Sequence, residues 1–255
     1  METSERVDNP WPDAVVLRRE STSSTMDDAR DLARSGCASG SVVCARFQAK
    51  GRGRVPGRTW ISPPGESLLA TVVVLRRDIM FPVQELPLRA GVAAALAVED
   101  VCGVSVKIKW PNDLMVENRK LAGLLCEAAG DTLLVGIGVN LLQRSFPPEI
   151  ESTACSLLQA SGQAVSASTL LSRLLARLWE SLHDDEWRGR LLHRLKAKGQ
   201  HVRVDLLGSA AAPGGIRGSM VEGTIAGVDE KGRLILQQGD GRQILIEQGE
   251  LVTGP

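Results

Sequence analysis

The sequence has few aromatic residues and no excess of charge of either sign. Tyrosine is absent, and aromatic residues make up only 3% of the 255 residues, so platforms for stacking nucleic-acid bases are scarce. Thirty basic residues balance thirty acidic residues, whereas a general nucleic-acid-binding protein usually carries a basic excess. With 43% hydrophobic and 24% charged residues, the composition is that of an ordinary globular protein with a substantial core.

Signals for export, membrane insertion and disulfide bonding are also missing. The first residues contain no apolar signal region, and no apolar run reaches the roughly 18 residues that a membrane helix needs. The five cysteines are widely spaced, odd in number and form no CxxC pair, which favours buried thiols in a reducing compartment. We therefore expect a cytoplasmic protein that does not contact a membrane.

The common phosphate-binding motifs do not occur, but one basic, glycine-rich segment does. Residues 47–60, here called the Arg/Gly loop, contain Lys50, Arg52, Arg54 and Arg58, three glycines and no acidic residue. Its glycine spacing is GxGxxxG and a strand is predicted to follow, so it is not a dinucleotide-binding fingerprint, and no P-loop sequence is present. Arginines on such a loop suit phosphate or carboxylate oxygens. Taken alone, a solvated turn or a nucleic-acid-binding segment is an equally good interpretation.

Hydrophobic patterns predict an α+β protein with two parts, residues 1–198 and 199–255. The predicted strands of the first part are 14–17, 41–47, 68–75, 104–110, 114–116, 121–127 and 133–140. Its predicted helices are a short one after an N-cap at Ser24 or Thr25, then 86–102, 168–182 and 188–196, with an irregular stretch at 146–163. From residue 200 onward, short strands at 201–207, 221–228, 234–237 and 243–247 and a Gly/Ala/Pro loop at 208–219 predict a small β-barrel.

Four further short segments carry polar groups at predicted element ends. They are the hydroxyl run before the first helix, Lys109-Trp110-Pro111-Asn112-Asp113, Lys120-Leu121-Ala122-Gly123 and Gly136-Ile137-Gly138-Val139-Asn140. Each of them taken alone is typical of a helix cap, a turn or a tight strand end. Their combination with the Arg/Gly loop, in this order, resembles the biotin protein ligases over residues 14 to 250, approximately.

The resemblance implies a mixed sheet with packed helices, similar to the class II aminoacyl-tRNA synthetase fold, followed by an SH3-like β-domain. It implies that biotin and ATP, supplied with Mg²⁺, form biotinyl-5′-AMP, and that biotin then passes to a lysine of a biotin carboxyl carrier protein, as in acetyl-CoA carboxylase. Residues matching the family motifs would take three roles. The residues that would hold biotin are Ser24, Thr25, Gln48, Gly51, Arg52, Gly53, Arg54, Lys120 and Gly123. Those that would bind ATP are Arg54, Arg58, Trp60, Asn112, Lys120 and Asn140, and the catalytic group would be Lys120, Arg54 and Asp113.

The chain departs from the family pattern at two places. Val55-Pro56 makes the Arg/Gly loop one residue longer, and Met26 stands where the commoner family form has Asn; neither position is assigned a role. No segment for a DNA-binding winged helix precedes residue 14, so we expect no DNA binding. The open edge of the main sheet leaves a homodimer possible.

Two other function classes remain open from the sequence. A lipoate or octanoate ligase or transferase shares the fold and the carrier-lysine chemistry, but those proteins do not usually combine these motifs. An RNA-binding protein built from the Arg/Gly loop and the β-barrel conflicts with the zero net charge and the absence of tyrosine.

Overall fold

A computed structural model of the chain describes residues 6–55, 57–206 and 220–252. The strands of the first part are β1 (Val16–Thr22), β2 (Val42–Gln48), β3 (Gly51–Arg52), β4 (Thr59–Trp60), β5 (Ser67–Leu75), β6 (Lys107–Lys109), β7 (Asp113–Val116), β8 (Arg119–Ala129) and β9 (Thr132–Asn140). The helices are α1 (Thr25–Arg34), α2 (Leu86–Cys102), α3 (Leu157–Ser161), α4 (Ala167–Ser181) and α5 (Trp187–Arg194). The last strands are β10 (His201–Asp205), β11 (Met220–Val228), β12 (Leu234–Gln237), β13 (Gln243–Ile246) and β14 (Glu250–Val252).

Seven strands form one mixed sheet in the order β1-β2-β5-β9-β8-β7-β6. Only β1 and β2 run parallel, and every other neighbouring pair is antiparallel. The strand β5 is buried along almost its whole length, as a continuous apolar run at the centre of a covered sheet must be. Short turns connect β7, β8 and β9, so their residues face one another in a fixed register.

The two faces of this sheet pack against different helices. The apolar residues of α2 and α4 join one face in the large core, where the Ala-rich surface of α2 allows close packing. On the other face α1 contributes Met26 and Ala29 to a smaller cluster with Val43, Val73 and Leu134. This smaller cluster covers only part of its face, so the rest of that face is left for the cavity described below.

A second, antiparallel sheet of five strands follows in the order β13-β12-β11-β10-β14. Trp110 is one point of contact between this sheet and the first part. The indole Nε1 of Trp110 donates a hydrogen bond of 3.0 Å to the carbonyl of Gly232, in the turn between β11 and β12. The free edge of β6 is met by the segment after α5, where the backbone of Lys196 donates to the carbonyl of Ile108 at 2.9 Å.

The fold class predicted from the sequence is confirmed, with local differences. The first strand is Val16–Thr22 rather than 14–17, and only Lys107–Lys109 of the predicted strand 104–110 forms a ladder. Ser24 is the N-cap of α1 as predicted, but its side chain makes no capping hydrogen bond. The division at residue 198 falls just before β10 and stays a prediction.

Three further elements differ from the prediction. The Arg/Gly loop contains a small ladder of β3 with β4, and the stretch predicted as irregular contains α3, which begins at a capping box on Ser156. The strand β14 was not predicted from its three residues, because only pairing with β10 stabilises so short a strand. The predicted Gly/Ala/Pro loop at 208–219 lies outside the described residues. In the described part of the chain, no helix is long and apolar enough to cross a membrane.

Candidate active site

A cavity lies between α1, the Arg/Gly loop and the sheet face formed by β5, β9 and β8. Ten of the residues singled out from the sequence line it: Ser24, Thr25, Gln48, Arg52, Gly53, Arg54, Trp60, Asn112, Lys120 and Gly123. The other four, Gly51, Arg58, Asp113 and Asn140, are not part of its lining. Segments far apart in sequence therefore converge on one cavity, because the sheet brings the ends of β2, β8 and β9 together beside the start of α1.

A directed hydrogen-bond network holds the side chain of Gln48 in the wall of the cavity. The backbone N–H of Thr25 donates to Gln48 Oε1 at 2.7 Å, and the Thr25 hydroxyl donates to the same oxygen at 2.9 Å. The Thr25 hydroxyl also lies 2.8 Å from that of Thr71. Since Thr25 has given its one proton to Gln48, Thr71 must be the donor in that contact. The network therefore fixes the amide of Gln48 with its oxygen engaged and its NH₂ group available as a donor.

Arg52 is held at the start of the Arg/Gly loop by an acidic residue of α1. Its guanidinium donates to both carboxylate oxygens of Asp27, at 2.9 and 3.1 Å. Arg30 donates to the same carboxylate at 2.8 Å and links it to Glu127 of β8. The hydrogen bond from Arg52 is the main cause that lowers the pKa of Asp27 from its ordinary value, against a smaller opposing effect of burial. Asp27 is therefore ionised at neutral pH, and its ion pair with Arg52 holds the loop against α1.

Lys120 lies over the sheet between a carboxylate and an aromatic ring. Its ammonium is 2.7 Å from Asp113 Oδ1 on β7 and 5.8 Å from the centre of the Trp60 ring. Thus Asp113, although it does not line the cavity, contacts the lysine that does. This geometry agrees with the orienting role that the family resemblance implies for Asp113, and that role stays a proposal.

The indole of Trp60 packs flat against two paired glycines of the sheet. Gly123 of β8 and Gly138 of β9 are direct partners in the ladder. A Cβ atom at Gly138 would come within 2.8 Å of the ring, and one at Gly123 within 3.2 Å. Any larger residue at Gly138 would displace the ring from the cavity wall. The close approach of the Trp60 ring therefore explains why a glycine occupies position 138 better than a tight strand end does.

The two later arginines of the loop reach the second sheet. Arg54 donates to the carbonyl of Gly249 at 2.8 Å, and Arg58 pairs with both carboxylate oxygens of Glu250, at 2.6 and 2.9 Å. Burial lowers the pKa of the Arg54 guanidinium from its ordinary value, while Glu250 and Asp113 oppose that effect. Of the two, Arg54 faces the cavity and Arg58 does not.

The two asparagines predicted to bind nucleotide differ in their surroundings. Asn112 lines the cavity, and its NH₂ group donates to the carbonyl of Leu124 at 2.9 Å. Asn140 is only 6% exposed, and its NH₂ group donates to the carbonyl of Cys155 at 3.0 Å. In this structure Asn140 holds the segment after β9 in place rather than facing the cavity.

Sequence reasoning missed three residues of this region. Met26 was given no role, yet it lines the cavity, and its sulfur lies 2.8 Å from where a Cβ of Gly136 would be. Gly136 was noted only as part of a strand end. Thr71 is fully buried on β5 and belongs to no motif. Only the packing of α1 on β5 reveals that Thr71 contacts Thr25.

The fold is that of the biotin protein ligases. The sequence model described as "Biotin/lipoate A/B protein ligase family" matches residues 19–142, and that described as "Biotin protein ligase C terminal domain" matches residues 215–250. The biotin--[acetyl-CoA-carboxylase] ligase of Mycobacterium tuberculosis is 33% identical over 247 residues, which cover 91% of this chain and 86% of that protein. The chain belongs to the biotin protein ligase family.

Two further comparisons agree with this assignment. The biotin--[acetyl-CoA-carboxylase] ligase of Paracoccus denitrificans is 30% identical over 240 residues, covering 88% of this chain and 95% of its own. The solved biotin protein ligase from Aquifex aeolicus in complex with biotin and ATP matches with a TM-score of 0.79 and 27% identity, over 93% of this chain and 97% of that one.

Proposed function

We propose that this protein activates biotin with ATP and transfers it to a lysine of a biotin carboxyl carrier protein. The observation that carries the proposal is the cavity itself, which is lined by a fixed amide donor, Gln48, and by two cations, Arg54 and Lys120. A ligand with a hydrogen-bond acceptor at one end and a carboxylate at the other would satisfy both. Biotin, with a ureido carbonyl and a carboxylate at opposite ends, has this form.

In the first step, a carboxylate oxygen of biotin attacks the α-phosphorus of ATP. The new bond is the acyl phosphate bond of biotinyl-5′-AMP, and the bond to the β-phosphate breaks with release of pyrophosphate. Two anions must approach each other, so the reaction needs positive charge at the point of contact. In our proposal Lys120 supplies it to the biotin carboxylate and the α-phosphate, while Asp113 orients its ammonium group.

The remaining residues position the two substrates. The NH₂ group of Gln48 would donate to the ureido oxygen, with Ser24, Arg52, Gly53 and Gly123 shaping the biotin end. Gly51, outside the lining, lies next to the Gln48 amide. The apolar wall made by Met26 and the strands would contact the ring and chain. Trp60, Asn112 and Arg54 would contact the nucleotide. For Arg58 and Asn140 the structure supports only indirect roles, through Glu250 and Cys155.

In the second step, the neutral amine of the carrier lysine attacks the acyl carbon of the mixed anhydride. An amide bond forms, AMP leaves and the amine loses a proton. In this proposal Mg²⁺ enters with ATP as part of the substrate. A cytoplasmic location is part of the proposal, because ATP is found there and all five cysteines are unpaired. A homodimer and the lack of DNA binding stay predictions.

The test is isotope exchange between pyrophosphate and ATP, with biotin, lipoate or octanoate supplied separately. We expect exchange with biotin alone, followed by labelling of one lysine when a purified carrier domain is added. Exchange that depends on lipoate or octanoate instead would assign the protein to the related ligases. Exchange with none of the three would refute acyl-adenylate formation.

A further inference from the structure

A row of paired residues crosses the main sheet and leads out of the cavity. Gly138 of β9 pairs with Gly123 of β8, which pairs with Asp113 of β7, which pairs with Lys109 of β6. Directly opposed residues of a sheet project from the same face, and neighbouring strands lie about 4.8 Å apart. Lys109 is therefore on the cavity face, one strand beyond the carboxylate that contacts Lys120.

A second lysine lies next to Lys109 at the edge of the sheet. Ile108 forms a parallel bridge with Leu195, and the Lys196 backbone donates to the Ile108 carbonyl at 2.9 Å. Ile108 and Leu195 are both buried in the large core. Lys109 follows Ile108 and Lys196 follows Leu195, so both lysines project toward the opposite face of the sheet. That opposite face is the one that lines the cavity.

The ammonium groups of Lys109 and Lys196 repel each other. In residues 6–55, 57–206 and 220–252, neither forms an ion pair, in contrast to Lys120. Burial first, and then the charge of Lys109, lower the pKa of Lys196 from its ordinary value. Protonated Lys196 is thus disfavoured in the protein alone, and a bound anion would relieve that cost.

We propose that Lys109 and Lys196 form an anion subsite for the two phosphates of ATP that leave as pyrophosphate. The inference rests on the proposed function, which places the α-phosphate at Lys120. Lys120 contacts Asp113 of the row, and the next cations beyond Asp113 are Lys109 and, beside it at the sheet edge, Lys196. A polyphosphate extending in this direction would meet the two lysines in the order of its β- and γ-phosphates.

The experiment compares Lys196→Ala and Lys109→Ala with the wild-type protein and with two controls. Lys196→Arg keeps the charge, and Lys198→Ala removes an exposed lysine from the same connecting segment. Biotin-dependent exchange gives the KM for pyrophosphate and for ATP. Transfer from prepared biotinyl-5′-AMP to a carrier domain measures the second step, which involves no pyrophosphate. Calorimetric titration with pyrophosphate alone measures the subsite directly, and thermal melting verifies that each variant is folded.

We expect each alanine variant to raise the KM for pyrophosphate about tenfold, because one charge-assisted contact is lost. The KM for biotin and the rate of transfer from biotinyl-5′-AMP should not change, and both controls should resemble wild type. An unchanged KM for pyrophosphate in folded variants would overturn the proposal. So would a higher KM for the carrier in the transfer assay, which would assign the lysines to an acidic protein surface.

The outcome also separates this inference from the proposed function. If the wild-type protein shows no exchange with biotin, the proposed function fails. The calorimetric titration still decides whether Lys109 and Lys196 bind pyrophosphate. If exchange with biotin occurs and the titration shows equal affinity in wild type and Lys196→Ala, only the subsite is refuted.

Discussion

Arg58 of the Arg/Gly loop and Glu250 of β14 form a two-point ion pair, with N–O distances of 2.6 and 2.9 Å. They are separated by 192 positions in sequence. Arg54 is tied to Gly249, the residue before the same strand, so two arginines of the loop are held at the start of one short strand of the second sheet. That strand therefore helps to determine where Arg54 lies relative to the cavity.

Removing the charge of Glu250 should weaken ATP binding more than it weakens the fold. The Arg58 side chain is 64% exposed, and exposed ion pairs contribute at most about 1 kcal/mol to stability. For Glu250→Gln we expect a melting temperature close to wild type and a KM for ATP raised about fivefold. Glu247→Gln, an exposed acidic residue at the end of β13, is the matched control. Equal kinetics for the two variants would show that the ion pair does not position the loop.

Lys120→Met should affect the chemical step. If the ammonium group stabilises charge that develops on the carboxylate and α-phosphate, its loss raises the barrier without preventing substrate binding. We expect biotin-dependent exchange to fall at least about a hundredfold, roughly 3 kcal/mol, with an unchanged fold. Near-normal exchange by this variant would rule out the assignment of Lys120.

Thr71→Val should weaken biotin binding although Thr71 does not line the cavity. The valine has nearly the same shape but cannot donate to Thr25, so the Gln48 amide is held less firmly. One lost hydrogen bond corresponds to about 1 kcal/mol, or a fivefold rise in the KM for biotin. Thr71→Ser, which keeps the hydroxyl, should restore the wild-type value. If both variants behave alike, packing rather than hydrogen bonding explains the effect.

Arg54→Ala should release the adenylate rather than prevent its formation. Arg54 faces the cavity and is held to the second sheet, so its loss removes the proposed contact to the intermediate and a tether of the loop. We expect ATP consumption without carrier, and biotin on unrelated proteins, at rates above wild type. The assay is streptavidin blotting of added albumin, with Arg34→Ala on the outer surface of α1 as control. Labelling of albumin no faster than in wild type would contradict the prediction.

Arg89→Met should destabilise the fold while leaving the site intact. Arg89 of α2 pairs with Glu85, both side chains being 7% exposed, and donates to the carbonyls of Ser181 and Asp184. Removing one partner of a buried pair typically costs about 3–5 kcal/mol, because the other charge is left without compensation. Urea unfolding should show this loss, whereas Arg34→Ala, in an exposed pair, should change stability by less than about 0.5 kcal/mol. A loss below about 1 kcal/mol in Arg89→Met would show that Glu85 finds another partner.

Short-range patterns in the sequence were sufficient for the motif residues and for most elements. The Arg/Gly loop, Lys120 and Gly123 could be identified because each lies in a local run whose residue types have a chemical meaning. Thr71 and Glu250 could not, because what defines them is a contact across 46 or 192 positions. Asn140 shows the opposite case. Its position in the Gly136–Asn140 motif predicted a contact with the ligand. In the structure its NH₂ group instead donates to the carbonyl of Cys155, in the segment after β9.

The placement of Trp60 has a practical consequence for every one of these measurements. Of the five tryptophans, Trp60 alone lines the cavity, whereas Trp11, Trp110 and Trp187 are buried elsewhere and Trp179 packs on Trp11. Indole emission depends on the polarity and charge around the ring, and Trp60 has an ammonium group 5.8 Å from its centre. The protein thus contains an intrinsic fluorophore in the wall of its binding site, and ligand occupancy can be followed optically without any label.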